Sequence, residues 1–570
     1  MSINKTVDRR TFLGGIGATA ALVATSGLAA CSPSDDAQGT TESTAEGAAG
    51  SSTSTRSWEN PPAPIAAEDI VETIECDVAI IGAGIAGLVC AHSAAMNGAN
   101  VALIEKMGEF SARGHDNGVV NCKWQKEQGI EFDTAQMQRE YSQLTGYRTN
   151  ANLLNIWLTR SAEPMDYYVD KMASVGVTDL TSNKPSNMDS DNVTIREYQT
   201  SIDFGELQVT DDGESIQHRL CRYIEQWAQE EGAQVYYNTK AEQLLRDGDG
   251  PVTGVVASTA DGYVQFNASK GVVLATGDIS GNDEMMQEFC PILAPVECKL
   301  YTPIGANTGD GINMACWIGA ALQKTNAAGM ALPAPAAPGG PLASDGVLGW
   351  LGVNTNGQRY FPENSGGPTV CYATSQQPGS IGYSIFDGAW RDKILIQAPD
   401  GKNRNGVEYL GDKYGVNEGY EGLEDWMENA KQDGLFFEAD TLEELAEQIG
   451  AEPEVLKKTV DDYNALCAEG VDTLFGKPEQ FLTTVEEPPF YASRIKVAVL
   501  VVPYGVNVDS QTRVCDKDDK PIENLYAIGN VQGNFLTDRY PMIFPGISQG
   551  RAMTFGWVLG EALANDELIS

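Results

Sequence analysis

The chain has 570 residues, enough for more than one domain and a large core, and its composition excludes the fibrous and disordered classes for most of its length. Its 38 Lys and Arg against 79 Asp and Glu give a net charge of −41. This charge repels phosphate backbones and anionic lipid, so no nucleic-acid partner is expected, whereas a basic protein partner fits.

The first thirty-one residues have the pattern of an export signal. Arg9 and Arg10 precede Thr11-Phe12-Leu13 and then the short apolar run GGIGATAALVATSGLAA. This pattern resembles a twin-arginine signal, and LAAC, which ends at Cys31, resembles a lipobox in which that cysteine is lipid-modified. Residues 1–31 are therefore predicted to be a twin-arginine lipoprotein-type signal.

Residues 32–71 are predicted to be a flexible linker, because the stretch from Ser32 to about Asn60 is rich in Ser, Thr, Ala, Gly and acids and has almost no large apolar residue. The folded part is then expected outside the cytoplasm, tethered through Cys31 to the outer face of the cell membrane. The eleven cysteines form no C-x-x-C or C-x-x-C-H pattern, so no metal site, haem or iron–sulfur cluster is predicted.

A nucleotide-binding pattern begins at Cys76. A β-type apolar run leads into Gly82-x-Gly84-x-x-Gly87, then a helical stretch, a second β run and Glu105. The glycines let the chain turn tightly and let a pyrophosphate approach the helix N-terminus, while the acid binds ribose hydroxyls. Its position at the start of the mature domain favours FAD over NAD.

Later segments repeat this kind of small-residue turn: KGVVLATGDISGN (270–282), NTGDGINMACWIGAAL (307–322), NLYAIGNVQG (524–533) and GISQGRAMTFGWVLGEALA (546–564). The last of these is a glycine-led helix whose N-terminal amides are expected to face the flavin pyrimidine. The further candidate cofactor contacts are Gly118, Thr276, Gly277, Asp310, Gly529, Asn530, Ser548 and Gln549.

Together with FGKPEQFLTTVEEPPFYA (475–492), these segments resemble the flavoprotein family of fumarate reductase and succinate dehydrogenase, in the soluble branch that includes urocanate reductase and 3-ketosteroid dehydrogenases. The resemblance covers about residue 72 to the end. It implies an α/β fold in which a Rossmann-like FAD-binding domain (72–330 and 490–570) is interrupted by an α+β capping domain (331–489). Thr441 and Glu444 in DTLEELAEQIG are spaced as a capping box at the start of a cap helix.

In this family, flavin N5 delivers hydride to an activated alkene, and a cap arginine four positions after an IFD triplet protonates the adjacent carbon. Asp387, which ends the triplet here, and Arg391 reproduce that spacing. Arginine is a poor acid, so the family uses a carboxylate to resupply it, and Glu363 lies at the matching place. The relay's second arginine is missing, because NSGGPT follows Glu363. A substrate clamp and a surface charge remain alternatives for Arg391.

Fumarate reductases bind their dicarboxylate with a histidine and an arginine, but the matching places here are Val501 and Ile543. A C4 dicarboxylate is disfavoured, because its second carboxylate would be buried without a partner. A larger, more apolar or aromatic substrate is suggested by nearby residues: Tyr504, Tyr540, Met542 and Phe544.

The segment DRYPMIFPGISQGRAMTFG resembles one in 3-ketosteroid dehydrogenases where a tyrosine and a glycine amide polarise the substrate carbonyl. Although this chain has two extra residues there, Tyr540 and Gly546 are the nearest counterparts, and such hydrogen bonds serve alkene reduction or its reverse. An ordinary core tyrosine is the alternative for Tyr540. Gly505 is a further candidate substrate contact, and Arg539 is either a carboxylate clamp or a surface charge.

His115 lies just past the first nucleotide unit, where membrane-bound relatives carry a histidine joined to FAD. The soluble relatives bind FAD noncovalently, so both modes remain open.

The resemblance implies an exported FAD-dependent ene-reductase that acts on the C=C bond of an α,β-unsaturated acid or ketone larger or more apolar than fumarate, in anaerobic respiration. Electrons are expected from an external membrane or tethered cytochrome or quinol-linked donor. The alternatives are a dehydrogenase that desaturates a ketone and a non-catalytic flavin electron-transfer lipoprotein.

Overall fold

The computed structural model describes residues 56–570 apart from 113, 115, 183–197, 206–215, 297, 300–304, 335–348, 364–366, 398–420 and 570. The predicted signal, Cys31, most of the predicted linker and His115 lie outside these described residues. Within them, every helix is too short or too polar to cross a membrane. The same residues contain no group of His, Cys, Asp and Glu side chains that could hold a metal ion.

The strands are β1 (Ile70–Ile81), β2 (Val101–Ile104), β3 (Asn117–Gly118), β4 (Leu180–Thr181), β5 (Ser201–Phe204), β6 (Gln234–Tyr236), β7 (Lys240–Arg246), β8 (Val252–Thr259), β9 (Gly262–Leu274), β10 (Cys298–Lys299), β11 (Met330–Ala334), β12 (Leu351–Asn354), β13 (Gly382–Phe386), β14 (Phe436–Ala439), β15 (Phe490–Val501), β16 (Arg513–Cys515) and β17 (Pro521–Ala527).

The helices are α1 (Ile85–Met96), α2 (Lys123–Glu127), α3 (Thr134–Leu144), α4 (Ala151–Arg160), α5 (Ala162–Ser174), α6 (Ile216–Glu230), α7 (Asp283–Phe289), α8 (Asp310–Trp317), α9 (Gly367–Ser375), α10 (Trp390–Gln397), α11 (Glu421–Gln432), α12 (Leu442–Ile449), α13 (Pro453–Glu469) and α14 (Ile547–Asn565).

The main sheet is parallel through its centre, in the strand order β16-β17-β9-β1-β2-β6. Strands β17, β9, β1, β2 and β6 pair in parallel, and β7 and β8 extend β9 as antiparallel strands. Parallel strands are usually covered on both faces, and the ends of β1 and β2 are accordingly continuous buried apolar runs. The carboxyl ends of β1, β9 and β17 therefore meet at one edge.

Helices α1 and α14 pack closely and run in the same direction. A Cβ at Gly556 would lie 2.6 Å from the Ala86 carbonyl oxygen, and one at Gly560 would lie 2.6 Å from that of Cys90. Because only glycine allows backbones so near each other, the two helices are fixed in register. Their N-termini therefore point to the same edge of the sheet.

A second sheet, with the order β10-β15-β13-β12, has β15 as its central strand. The first half of β15 pairs with β13 and β14, whereas its second half pairs with β10 and β11. One continuous strand thus joins parts of the chain from both sides of the predicted boundary at 489/490, and the domain division stays a prediction. Helix α12 starts as predicted, with Thr441 Oγ1 accepting a hydrogen bond from Glu444 N at 3.1 Å.

The chain is anchored to the fold from Ser57 onward, within the range predicted as linker. Trp58 is buried with its ring 4.9 Å from Phe289, and Trp317 Nε1 donates to the Ser57 carbonyl oxygen at 2.9 Å. Phe289 in turn stacks on Tyr504 at 4.0 Å. The end of the predicted linker therefore contacts the core close to a predicted substrate residue.

His92 is a fully buried histidine on α1. Its Nδ1 lies 2.9 Å from the Tyr168 hydroxyl, and Nε2 has no hydrogen-bond partner in the part of the chain that the structure describes. Burial, with the charge of Lys171 acting in the same direction, lowers the pKa of His92 to about 4. The ring is thus neutral in the folded protein at neutral pH.

We expect His92 to make the fold acid-labile. Below pH 6.5 the His92 imidazole is protonated in the unfolded chain but stays neutral in the folded chain. The free energy of unfolding therefore falls as the pH drops from 6.5 towards 4. The loss is about 2 kcal/mol between pH 6.5 and 5, and urea unfolding at both pH values measures it. In His92→Gln this part of the pH dependence should disappear. An equal pH slope in both proteins would contradict the assignment.

Candidate active site

The turn between β1 and α1 is built from the predicted glycines. Gly82 has φ +107°, and a Cβ at Gly87 would lie 1.9 Å from the Gly82 carbonyl oxygen, so both are required by the protein's own packing. A Cβ at Gly84, by contrast, would have no atom within 4 Å. The N-terminus of α1 therefore has open space beside it, as the approach of a pyrophosphate requires.

Glu105 closes this turn from the end of β2. Its carboxylate accepts hydrogen bonds from the backbone N–H groups of Ala83 and Met107, both at 2.8 Å. The acid is held over the glycine turn, where the predicted ribose contact belongs.

The predicted residues of the next two segments pack against each other. A Cβ at Gly277 would lie 2.5 Å from Asn307 Oδ1, and a Cβ at Gly311 would lie 2.3 Å from Thr276 Oγ1. Asp310, the first residue of α8, accepts from Lys106 Nζ at 2.8 Å. This Lys106–Asp310 pair joins the segment after β2 to the α8 N-terminus.

A second helix N-terminus forms part of the site at α14. Gly546, its N-cap, accepts a hydrogen bond from Gly118 N at 2.9 Å, and a Cβ at Gly118 would lie 2.6 Å from the Gly546 carbonyl carbon. Gln549 lies close by, because a Cβ added at Gly114 would lie 3.3 Å from Gln549 Nε2. The predicted contacts Gly118, Gly546 and Gln549 are thus brought together.

The segment after β17 lies between the two helix N-termini. A Cβ at Gly529 would lie 2.9 Å from Ala86 Cβ on α1. Asn530 Oδ1 accepts from Ser548 Oγ at 3.3 Å and from Arg551 Nη2 at 2.7 Å, both on α14. Arg551 is not among the site residues predicted from sequence, although a cation within the small and apolar residues of this helix is a visible signal.

Tyr540 is nearly buried beside the start of α14. Burial raises the pKa of Tyr540 to about 12, although its hydrogen bond with Ser548 and the charge of Arg551 act in the opposite direction. The phenol is therefore protonated at neutral pH and available as a hydrogen-bond donor.

The predicted substrate residues lie in different environments. Tyr504 is buried against Phe289, and a Cβ at Gly505 would lie 1.7 Å from the Val531 carbonyl oxygen, so packing alone requires that glycine. Arg539 is exposed. Phe544 stacks on Tyr141 at 5.3 Å within an aromatic core cluster, which accounts for it without a substrate.

Arg391 lies on α10 and remains half exposed. Its guanidinium forms an ion pair with Glu424 on α11 and lies 4.5 Å from the Trp390 ring. The side chain is 48% exposed, and that of Glu424 is 44% exposed. This arginine is therefore held in place by a carboxylate that is itself open to solvent.

Glu363 belongs to a buried charge network instead. It accepts from Arg359 at 2.7 and 2.8 Å and from Gly352 N at 3.1 Å, and Lys477 Nζ lies 3.5 Å away. Among the described residues these contacts account for the hydrogen bonds and ion pairs of Glu363, and Arg391 is not one of them.

Asp472 is the second acid of this network, with Arg359 Nη2 at 2.7 Å. Burial opposes ionisation of Asp472, but the Arg359 guanidinium and backbone N–H groups lower its pKa to about 2. The network pairs its charges within the predicted cap, although Arg359 Nη1 is buried without a hydrogen-bond partner among the described residues.

Comparison with known proteins identifies the cofactor chemistry. A family model described as "FAD binding domain" matches residues 77–541. The chain belongs to this FAD-binding family. FAD as cofactor and the predicted FAD-dependent oxidoreductase are thereby confirmed, as is the resemblance to the fumarate reductase and succinate dehydrogenase flavoproteins.

Two relatives match this family member over most of their length. Vinyl phenol reductase of Lactiplantibacillus plantarum is 26% identical, covering 84% of this chain and 94% of the relative. A 3-oxosteroid 1-dehydrogenase of Mycolicibacterium smegmatis is 26% identical, covering 85% and 96%.

The fold agrees with a solved structure of 3-ketosteroid-Δ4-(5α)-dehydrogenase from Rhodococcus jostii, with a TM-score of 0.66 and 21% identity over 88% of this chain and 99% of that one. The predicted α/β class with an FAD-binding fold is confirmed.

The glycines of the first turn give a test of cofactor binding. Gly84→Ala should leave the apoprotein melting temperature unchanged, because its methyl group has free space, yet raise the Kd for FAD at least about tenfold by blocking the pyrophosphate. Gly87→Ala should instead destabilise the apoprotein itself. Calorimetry of both apoproteins and FAD titration by fluorescence measure these effects. Full FAD affinity in Gly84→Ala would show that the cofactor does not approach there.

Proposed function

We propose that this FAD-dependent oxidoreductase reduces the C=C bond of an α,β-unsaturated acid or ketone outside the cytoplasm. The observation that carries the proposal is the half-exposed Arg391, a cation on the predicted cap that is ion-paired with the solvent-exposed Glu424. Carbon protonation needs such a donor, whereas desaturation needs a base. The names of the relatives, a vinyl phenol reductase among them, support this class of reaction.

In this proposal the reacting groups lie on two parts of the protein, the α14 N-terminus and the predicted cap. Reduced FAD, when bound, supplies hydride. Tyr540 and the Gly546 amide are placed at the α14 N-terminus to donate hydrogen bonds to the carbonyl oxygen that activates the alkene, and donors fixed before reaction stabilise its developing charge. Arg391 donates the proton to the adjacent carbon.

Glu424 is the carboxylate that resupplies Arg391 in this proposal. It is an acid in direct contact with the guanidinium, and its exposure lets it take protons from solvent. Glu363, which the sequence suggested for this role, is already held by Arg359 and Lys477. Glu424 follows Arg391 by 33 positions, so no local spacing signals it.

The substrate is larger or more apolar than fumarate in this proposal. Val501 and Ile543 are buried apolar residues at the places where fumarate reductases carry charged ligands. The activity is proposed to serve anaerobic respiration. An external cytochrome or quinol-linked donor supplies the electrons, and the net charge of −41 favours a basic docking partner. Export through residues 1–31 and a lipid anchor at Cys31 complete the proposal.

A dehydrogenase that desaturates a ketone is the second candidate. The placement of Tyr540 and Gly546 at one helix N-terminus favours it, because the same hydrogen bonds stabilise an enolate in either direction. The 3-oxosteroid 1-dehydrogenase relative supports this reading.

Oxidation of reduced viologen by the FAD-loaded protein tests the direction. Fumarate, urocanate, cinnamates and steroid enones are supplied anaerobically, and we expect rapid turnover with at least one of the larger alkenes. Arg391→Met should lower that turnover at least about a hundredfold while FAD content stays the same. Turnover only with saturated ketones and an artificial acceptor would favour the dehydrogenase, and full activity of Arg391→Met would remove the cap arginine from the mechanism.

The relay is tested by two matched carboxylate variants. Glu424→Gln should lower turnover about tenfold and shift its pH profile, because the proton supply to Arg391 is slowed, with no change in melting temperature. Glu363→Gln should instead lower the melting temperature by breaking the buried network around Arg359. If Glu363→Gln instead lowered turnover without changing the melting temperature, and Glu424→Gln left turnover unchanged, Glu363 would be the carboxylate that resupplies Arg391.

A further inference from the structure

A fully buried arginine lies directly behind the predicted flavin contacts. Arg551 on α14 is 0% exposed. Its Nη2 donates to Asn530 Oδ1 at 2.7 Å, whereas Nε and Nη1 are buried without a hydrogen-bond partner among the described residues. Its Cζ lies 5.3 Å from the Phe535 ring. Most of this guanidinium therefore makes no hydrogen bond within the described residues that would replace its bonds to water.

A second buried arginine of the same chain shows the usual arrangement. Arg359 binds Glu363 and Asp472, and these acids raise its pKa above the ordinary value despite burial. Burial lowers the pKa of Arg551 to about 10, and the groups that oppose this are two phenols, Tyr540 and Tyr141, rather than carboxylates. Arg551 remains a cation at neutral pH without a counter-anion in the described protein.

An unpaired buried charge costs several kcal/mol of stability, so its presence points to a group that is not part of the polypeptide. The Tyr141 hydroxyl is also buried without a hydrogen-bond partner among the described residues. This cluster, consisting of Arg551, Tyr141 and Tyr540, is short of acceptors rather than donors. An electron-rich ligand is the kind of group that would complete it.

The position of Arg551 identifies the ligand. Asn530, which it contacts, also accepts from Ser548 in the first turn of α14, and both are predicted flavin contacts. The N-terminus of this 19-residue helix carries partial positive charge that adds to the charge of the arginine. Both fields would act on the part of the cofactor that Asn530 and Ser548 would hold.

We propose that Arg551, together with the α14 N-terminus, stabilises negative charge on the pyrimidine ring of reduced FAD and so raises its reduction potential. When FAD takes two electrons from a reductant and one proton from solvent, the product is an anion whose charge is spread over N1 and the C2 oxygen. A fixed cation in a site of low dielectric favours that anion over neutral, oxidised FAD. The inference requires FAD alone and holds for either direction of the proposed reaction.

The reduction potential of the FAD-loaded protein tests the proposal. Anaerobic titration with dithionite beside a redox dye should show a more negative potential in Arg551→Met, corresponding to an equilibrium for reduction at least about tenfold less favourable. Arg551→Lys, which keeps the charge, should retain most of the wild-type potential. Arg513→Met, which removes a partly exposed arginine paired with Asp509, is the matched control and should leave the potential unchanged.

Sulfite gives a second readout that needs neither substrate nor turnover. Its sulfur lone pair forms a bond to flavin N5, and the negative charge moves to the pyrimidine ring, bleaching the flavin absorbance. The Kd for sulfite should rise at least about tenfold in Arg551→Met and change little in Arg551→Lys.

Stability separates this role from a structural one. Because the charge has no counter-anion among the described residues, Arg551→Met apoprotein should melt no lower than wild-type apoprotein. If the Arg551→Met and Arg551→Gln apoproteins both melted at a much lower temperature than the wild-type apoprotein, the arginine would have a structural role and the proposal would be overturned. An unchanged potential would also overturn it, including the case in which only the KM for carboxylate substrates rises.

Discussion

The close parallel packing of α1 and α14 is the constraint on which the rest of the site depends. Glycines at the contact let the two backbones approach within a distance that any side chain would prevent. Two helix N-termini are thereby fixed at the carboxyl edge of a parallel sheet, which is where α/β proteins bind nucleotides. Gly529 contacts α1 and Asn530 contacts α14, so the packing of these two helices positions both parts of the predicted cofactor site.

The first nucleotide unit could be predicted from sequence because its physics is local. Gly82, Gly87 and Glu105 are constrained by a turn, a helix start and a strand end that lie within about thirty residues of each other along the chain. The N-cap of α12 was equally local, since Thr441 and Glu444 are three positions apart. In such patterns the contacting residues are close together in sequence, so their spacing alone predicts the contact.

The partners of the catalytic candidates that come from distant parts of the chain could not be predicted, whereas Arg359, which binds Glu363, lies only four positions before it. Glu363 is bound by Lys477, and Arg391 by Glu424, through loops and helices whose packing no short motif encodes. Phe544 illustrates the same limit: it follows a predicted substrate segment, yet its ring packs into the core against Tyr141. Side-chain direction depends on tertiary packing, which residue type and spacing do not specify.

Strand β15 has a consequence for how the protein admits a ligand. Its residues up to Ile495 pair with β13 and β14, and Ala498 and Val499 pair with β10 and β11. A loop hinge would let the predicted cap swing freely, but a hydrogen-bonded strand bends only through small changes in twist shared by several residues. Any opening of the predicted cap therefore has to bend this continuous strand, so the change would be shared by several of its residues rather than confined to a loop hinge.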